Sequence, residues 1–333
     1  MGVPRRQFCS KKLYEICFRA QRGLPLPPRP LIIQLIKSAL GRTQRDYKVT
    51  ICSYVWMGNH VHILVICGDA EEFRNFYGEL KKRITDSIKR LLNLKHLSLW
   101  EDSGTTAAQI LDINEAVTRT VYLFANPASA NLVDHIEDYP GLSTWESFSK
   151  APAQLSYSTI EQVPWIHMHT IPSISNLNFS KAEEQRALQS ILADEINQEL
   201  FPLVIEPLAW LKVYGVTDPA EIVEYHSAVI ERIKAKEAGL KEARAKVGSR
   251  IIGKAKLLSA GISFAHQPVK KERRIFVLTS INELRMEFIA RYRAFCAECR
   301  ECYKLMRLGY RNVEWPPGAF IPPAPILYNS LAI

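Results

Sequence analysis

The stretch "YVWMGNHVHILVI", residues 54–66, sets two histidines one residue apart inside an otherwise apolar run. A β-strand has a side-chain period of two. His60, His62, Leu64 and Ile66 then share one face, and Val61, Ile63 and Val65 share the other. Same-face neighbours on a strand have roots roughly 7 Å apart, so two imidazoles there can converge on one metal ion. An ordinary pair of strand histidines fits the same pattern, and the rest of the chain has to decide between the two readings.

Working outward, "YKVTICSYVWM" (47–57) reads as a strand, and the short Met57-Gly58-Asn59 link suits a hairpin into the histidine strand. Upstream, "KKLYEICFRA" (11–20) alternates as a strand, and "RGLPLPPRP" (22–30) is a Pro-rich loop. Pro30 serves as a first helical residue, and "LIIQLIKSALG" carries apolar positions at helical spacing to Gly41. Downstream, a helix is expected from 70 to about 92. A second covers "DINEAVTRTVYLFAN" (112–126), with Asp112 or Asn114 as its cap and Pro127 ending or kinking it. The order strand, helix, strand, strand, helix, helix predicts an α+β fold with a ferredoxin-like antiparallel sheet and packed helices.

Residues 143–180 are rich in Ser and Pro with little period, and read as a linker or irregular excursion. Helices are then expected over 181–200, 218–246 and 281–309, the second with Asp218 as cap and Pro219 at its first position. "WPPGAFIPPAP" (315–325) is expected to be irregular. The chain shows no internal repeat. Its 333 residues suggest two parts: 1–147, an α+β domain, and 148–333, a mainly helical extension.

Hydrophobic residues make up 47% and charged residues 23%, the balance of a globular protein. No apolar run approaches the length of a membrane span. The start "MGVPRRQFCS" has no apolar signal region and lacks the Ser or Thr at position 6 that a myristoylation signal needs. A cytoplasmic protein without a membrane partner is expected. The formal net charge is +9, divided as +5 over residues 1–160 and +4 over the remainder. Such a diffuse basic excess favours a polyanion partner. Seven cysteines, an odd count, argue against a disulfide framework.

The second chemical element is "RTVYLFANP" (119–127). Tyr122 and Asn126 are four apart on a helix and share a face. A phenol is a nucleophile that leaves a stable aryl ester, and an amide oxygen one turn on can complete a metal site begun by two histidines. Taken alone, Tyr122 would be a packing tyrosine of an amphipathic helix.

Together these segments resemble the single-tyrosine HUH transposase family and, within it, the REP-associated tyrosine transposases. The family's histidine motif reads approximately "hxxMPNHVHLLV", and here "YVWMGNHVHILV". Its tyrosine motif reads approximately "YIxxNPVRAGLVxxPEDYPWSS", and here "YLFANPASANLVDHIEDYPGLSTW". Trp100-Glu101 fits the family's "LWQ"-like approach to the tyrosine helix. The resemblance covers roughly residues 10–147. Gly58 stands where proline is usual, and Ala128-Ser129 replaces the usual Val-Arg. Neither change removes a residue the chemistry needs.

The resemblance implies a mechanism. His60, His62 and, by position, Asn126 bind a divalent ion, Mg²⁺ or Mn²⁺ in the cell, which polarises and orients one phosphodiester. Zn²⁺, Ni²⁺ or Cu²⁺ would bind the same donors more tightly in vitro. Tyr122 attacks in line, leaving a 5′-phosphotyrosine and a free 3′-hydroxyl. The ester keeps the bond energy, so another strand's hydroxyl can reverse the step without ATP. The implied substrate is single-stranded DNA beside a short hairpin. Family members act as dimers or monomers, which admits a homodimer. A different class of function, a domesticated protein that binds hairpin DNA without cutting, is the alternative. A hydrolase that uses the metal site without a covalent step is a third.

Lys81, Lys82, Arg83, Lys89 and Arg90, on the helix between the two motifs, are candidate phosphate contacts. Arg5, Arg6, Lys11 and Lys12 form a candidate arm, and "VKKERR" (269–274) a second basic cluster. Tyr54 and Trp56 are expected in the core, as is Tyr139. A further triplet, His167 and His169 in "WIHMHT", lies in a Pro-bounded stretch with no Tyr-x-x-x-Asn helix after it, and reads as structural. Cys296, Cys299 and Cys302, three apart in a helical segment without a fourth ligand, read as a helix stripe of small apolar thiols.

Overall fold

The computed structural model describes residues 7–101, 106–152, 154–174, 176–265, 275–310 and 312–323. Arg5, Arg6 and the 269–274 cluster lie outside the described residues. The fold is α+β, a mixed sheet with packed helices and a helical C-terminal segment.

The N-terminal half runs β1 (Leu13–Arg19), α1 (Pro30–Asp46), β2 (Val49–Trp56), β3 (His60–Cys67), α2 (Ala70–Leu91) and β4 (Thr106–Ile110). All pairings among these four strands are antiparallel, in the order β2-β3-β1-β4. That is the ferredoxin-like arrangement, two split β-α-β units interleaved. The hairpin into the histidine strand closes with Met57 N donating to His60 O at 2.7 Å.

Helix α1 begins at Pro30, as its fixed φ favours, and continues past Gly41 to Asp46. Helix α2 is capped by Asp69, which accepts from the amides of Glu71 and Glu72. Both helices lie on one face of the sheet. Ile32, Leu35, Phe76, Leu80 and Ile84 bury their side chains there against Ile16, Phe18, Ile63 and Val65. Full burial of each such side chain stabilises by roughly 1.5–3 kcal/mol. Tyr54 and Trp56 belong to this core, as expected. In ferredoxin-like folds the other sheet face is left open. Here α3 (Ile113–Ser129) covers it, packed over Leu13, Val55 and Leu64.

The sheet does not end at residue 147. The later segment adds α4 (Trp145–Ser149), β5 (Thr159–Pro164), α5 (Lys181–Ala193), β6 (Leu200–Ile205), α6 (Ala209–Lys212), α7 (Pro219–Lys246), α8 (Lys254–Leu258), β7 (Val277–Leu278) and α9 (Asn282–Arg307). Among the described residues the order is β5-β6-β2-β3-β1-β4-β7, seven strands, with β6 parallel to β2 and β7 parallel to β4. Two expectations are corrected here. Residues 143–180 are not merely a linker, because they contain α4 and β5. The helix expected over 181–200 stops at Ala193, and "LFPLVI" becomes β6 by pairing along the whole of β5. A buried Arg29–Glu184 ion pair at 2.9 Å fastens α5 to the start of α1, where the second Glu184 oxygen accepts from Leu31 N.

Among the described residues no helix is long and apolar enough to cross a membrane. Among the described residues no disulfide is formed, and Cys299 and Cys302 are buried on α9.

Candidate active site on the histidine face of the sheet

Strand alternation puts His60 and His62 on the face covered by α3. In register, Arg19 pairs with His60, Cys17 with His62 and Glu15 with Leu64, so β1 presents Glu15, Cys17 and Arg19 to the same side. The two imidazole centroids are 5.2 Å apart.

Helix α3 is set over them by its ends. Asp112 caps it, accepting from Glu115 N at 2.8 Å. The same carboxylate takes three more hydrogen bonds, from Thr279 Oγ1 and from the amide and hydroxyl of Ser280. Burial raises the Asp112 pKa, but these bonds outweigh it and hold it below the usual carboxylate range. Pro127 does not end the helix but sits in its last turn, two residues before Ser129. Proline there removes one intrahelical bond, the one an amide at 127 would give to Leu123 O, and the turn still closes with Ala130 N donating to Asn126 O at 2.9 Å. Arg119, Tyr122 and Asn126 follow at intervals of three and four, one stripe facing the histidines.

The stripe and the strand meet. The Tyr122 ring centroid is 5.3 Å from that of His62, edge to face. The Asn126 amide nitrogen donates to His60 Nε2 at 3.4 Å. Each imidazole is held from outside through Nδ1: His60 by Asn59 Oδ1 at 2.7 Å, and His62 by Glu15 Oε1 at 2.7 Å. Both therefore turn Nε2 inward, His60 toward Asn126 and His62 toward Cys17 Sγ at 3.9 Å. An outer acceptor that fixes the ring and leaves the inner nitrogen free is the usual support of a metal-ligating histidine. Among the described residues no group of three or more His, Cys, Asp or Glu side chains could hold an ion. A site here needs Asn126 as its third donor, and a half-turn of that amide presents Oδ1 where Nδ2 now sits. Donors of this kind fit a divalent cation.

Glu15 is the hub. It is 4% exposed, yet its two oxygens accept from His62 Nδ1, Arg119 Nε at 2.6 Å and an Arg119 terminal nitrogen at 2.8 Å. Burial raises its pKa, but His62 and Arg119 outweigh it and the carboxyl is held low. The two histidines are pushed apart. Burial, then the neighbouring His62 and Arg19, lower His60 to about 3. Burial also works against a charged His62, but Cys17 and Glu15 outweigh it and raise His62 to about 10. The Arg119 guanidinium lies over the Tyr122 ring, 4.3 Å from its centroid, and Lys236 of α7 stands 5.4 Å from the same centroid.

The fold therefore brings His60, His62, Tyr122 and Asn126 together. It does not bring Lys81, Lys82, Arg83, Lys89 and Arg90 to them. Helix α2 lies across the opposite face of the sheet. Arg83 is also engaged there, with Asp46 at 2.6 Å and Glu79 at 3.0 Å. His167 stacks on Trp165 at 4.5 Å, with His169 beside it and Met168 against Ser87 of α2, away from the histidine face. Tyr139 is buried, its hydroxyl donating to Trp56 O at 2.7 Å.

Glu15, Cys17, Arg19, Arg119 and Lys236 are site residues that sequence reasoning missed. Alternation in "YEICFR" shows that Glu15, Cys17 and Arg19 share a face, and Arg119 stands one turn before Tyr122, so both signals were present. Nothing local marks Lys236.

No protein-family model matches this chain, and no curated protein matches it. Among solved structures it is similar to a REP-associated tyrosine transposase solved bound to a REP hairpin, at 20% identity and a TM-score of 0.38, over 44% of this chain and 84% of that one.

Proposed function

We propose that this protein cleaves and rejoins single-stranded DNA by a metal-dependent transposition-type reaction, with Tyr122 as nucleophile. The observation that carries the reading is that Tyr122 and Asn126 project from α3 onto the same sheet face as His60 and His62, with the Tyr122 and His62 rings 5.3 Å apart. A divalent ion bound by His60, His62 and Asn126, Mg²⁺ or Mn²⁺, would supply Lewis acidity to the non-bridging phosphate oxygens.

The chain's own groups do the remainder. Glu15 keeps the His62 ring oriented, and Asn59 does the same for His60. Tyr122 Oη forms a bond to phosphorus and gives up its proton. The bond from phosphorus to the 3′ oxygen breaks, and that oxygen takes a proton. The chain then carries a 5′-phosphotyrosine, and an incoming 3′-hydroxyl attacks this ester and releases the phenol. A single strand beside a hairpin is the substrate that fits the motif resemblance. Lys82, Lys89 and Arg90 would hold DNA that passes over a sheet edge to the α2 face.

The test is a labelled single-stranded hairpin incubated with the protein and Mn²⁺. The expected result is an adduct that survives denaturation. Tyr122→Phe abolishes it, by more than about 10³-fold in rate, since no other group supplies the bond-forming oxygen. His60→Ala nearly abolishes it. An adduct that persists in Tyr122→Phe rules out this nucleophile. Salt-dependent hairpin binding with no adduct would favour the binding-only alternative, and a cut strand with an unlinked 5′ end would favour water as the attacking group.

A further inference from the structure

Helix α7 belongs to the segment beyond residue 147, yet it packs along the tyrosine helix. Ile233, Glu237 and Arg244 form the buried stripe of α7 on that side. The Arg244 guanidinium donates to Ala128 O at 2.9 Å and to Asp134 Oδ1 at 2.7 Å, satisfying a carbonyl at the end of α3. Glu237, almost fully buried, accepts from Ile136 N at 2.7 Å and pairs with His135 Nδ1 at 3.1 Å. These contacts fix the position of α7 relative to Tyr122. The residue that this fixing delivers to the site is Lys236.

We infer that Lys236 is a phosphate-binding residue of the strand-transfer site, supplied by the C-terminal extension. The inference rests on the reading of Tyr122 as nucleophile. Lys236 is half-buried, and its ammonium lies 5.4 Å from the centre of the Tyr122 ring. Arg119 is nearer, at 4.3 Å, but two hydrogen bonds commit it to Glu15. No ion pair or hydrogen bond engages the Lys236 ammonium among the described residues. Burial and then the like charge of Arg119 lower its pKa, so an anion arriving there relieves both.

The phosphodiester that Tyr122 would attack is such an anion. As the phenol oxygen bonds to phosphorus, negative charge grows on the phosphate oxygens. A lysine is a compact point charge on a flexible stem, suited to follow that charge. The substrate class at Lys236 is thus the scissile phosphate of a single DNA strand, and afterwards the phosphotyrosine ester.

The experiment compares Lys236→Met and Lys236→Arg with the wild-type chain, thermal unfolding confirming that each is folded. At saturating hairpin DNA, Lys236→Met should form the covalent adduct about 10–100-fold more slowly, and Lys236→Arg should remain within about fivefold of wild type. In a Tyr122→Phe background, which binds without reacting, Lys236→Met should also flatten the salt dependence of single-strand binding by about 0.7 in log–log slope. An adduct rate kept at the wild-type level in Lys236→Met overturns the inference, whatever the slope does. If the wild-type chain binds DNA but makes no adduct, the proposed reaction fails, and the slope alone decides for or against Lys236. If no variant binds DNA, both fall.

Discussion

The two faces of β1 and β3 make a controlled comparison, because the same backbone presents both. Toward α1 and α2, β1 offers Tyr14, Ile16 and Phe18, and β3 offers Val61, Ile63 and Val65, with no side chain among them more than 1% exposed. Toward α3 the same strands offer Glu15, Cys17, Arg19, His60 and His62. Glu15 and His62 are 4% and 6% exposed, nearly as dry as the apolar face. The difference is therefore not access to water but what is kept from it. A buried polar group without a partner destabilises a fold, whereas a buried methyl does not. The α3 face tolerates its burden because each group answers another: Glu15 with His62 and Arg119, and His60 with Asn59 and Asn126. One face holds the sheet together, and the other holds paired polar groups in place.

Glu15→Ala should have the largest effect on this contrast, because it removes the acceptor shared by the buried His62 and the half-buried Arg119. A loss of about 3–5 kcal/mol is expected in urea unfolding. Among the molecules still folded, Mn²⁺ affinity by titration calorimetry should fall about 10–100-fold as His62 loses its outer support. A variant as stable as wild type would show that the polar face is not held by this pairing. Ile63→Ala comes next, one residue away on the opposite face. It should lose about 2–5 kcal/mol of stability through the cavity it opens. Mn²⁺ affinity of the folded protein should not change, and a change would mean that the two faces are not independent.

The smallest effect concerns DNA on the α2 face. Replacing Lys89 and Arg90 together by alanine should reduce the salt slope of single-strand binding by about 1.4, about 0.7 for each phosphate left without its cation. The adduct rate at saturating DNA should stay at the wild-type level, since neither residue shares a face with Tyr122. An unchanged slope would confine DNA to the α3 side and sharpen the contrast further.

Legibility followed the length over which each signal acts. Strands β1, β2 and β3 and helices α1, α2, α3, α7 and α9 could all be read because alternation or helical spacing runs through many residues of each. The strands that could not be read are short or interrupted. "TAAQI" of β4 carries two alanines, β7 has two residues, and β6 has a proline at its third position. Such segments become strands because an existing edge offers them unpaired amides and carbonyls, as β4 offers to β7 and β5 to β6.

By itself the sequence determined the order strand, helix, strand, strand, helix in the first half, without the fourth strand that completes it, together with the shared face of His60 and His62 and the shared face of Tyr122 and Asn126. All of these follow from local periods. Only the tertiary structure decided that those two faces meet, that Glu15 holds His62 and Arg119 together from 47 and 104 residues away, that Lys236 reaches Tyr122 from beyond residue 147, and that the basic side of α2 looks elsewhere. The reason is physical. A strand or helix period fixes where a side chain points along its own element, but which element stands opposite depends on how distant segments close around a common core.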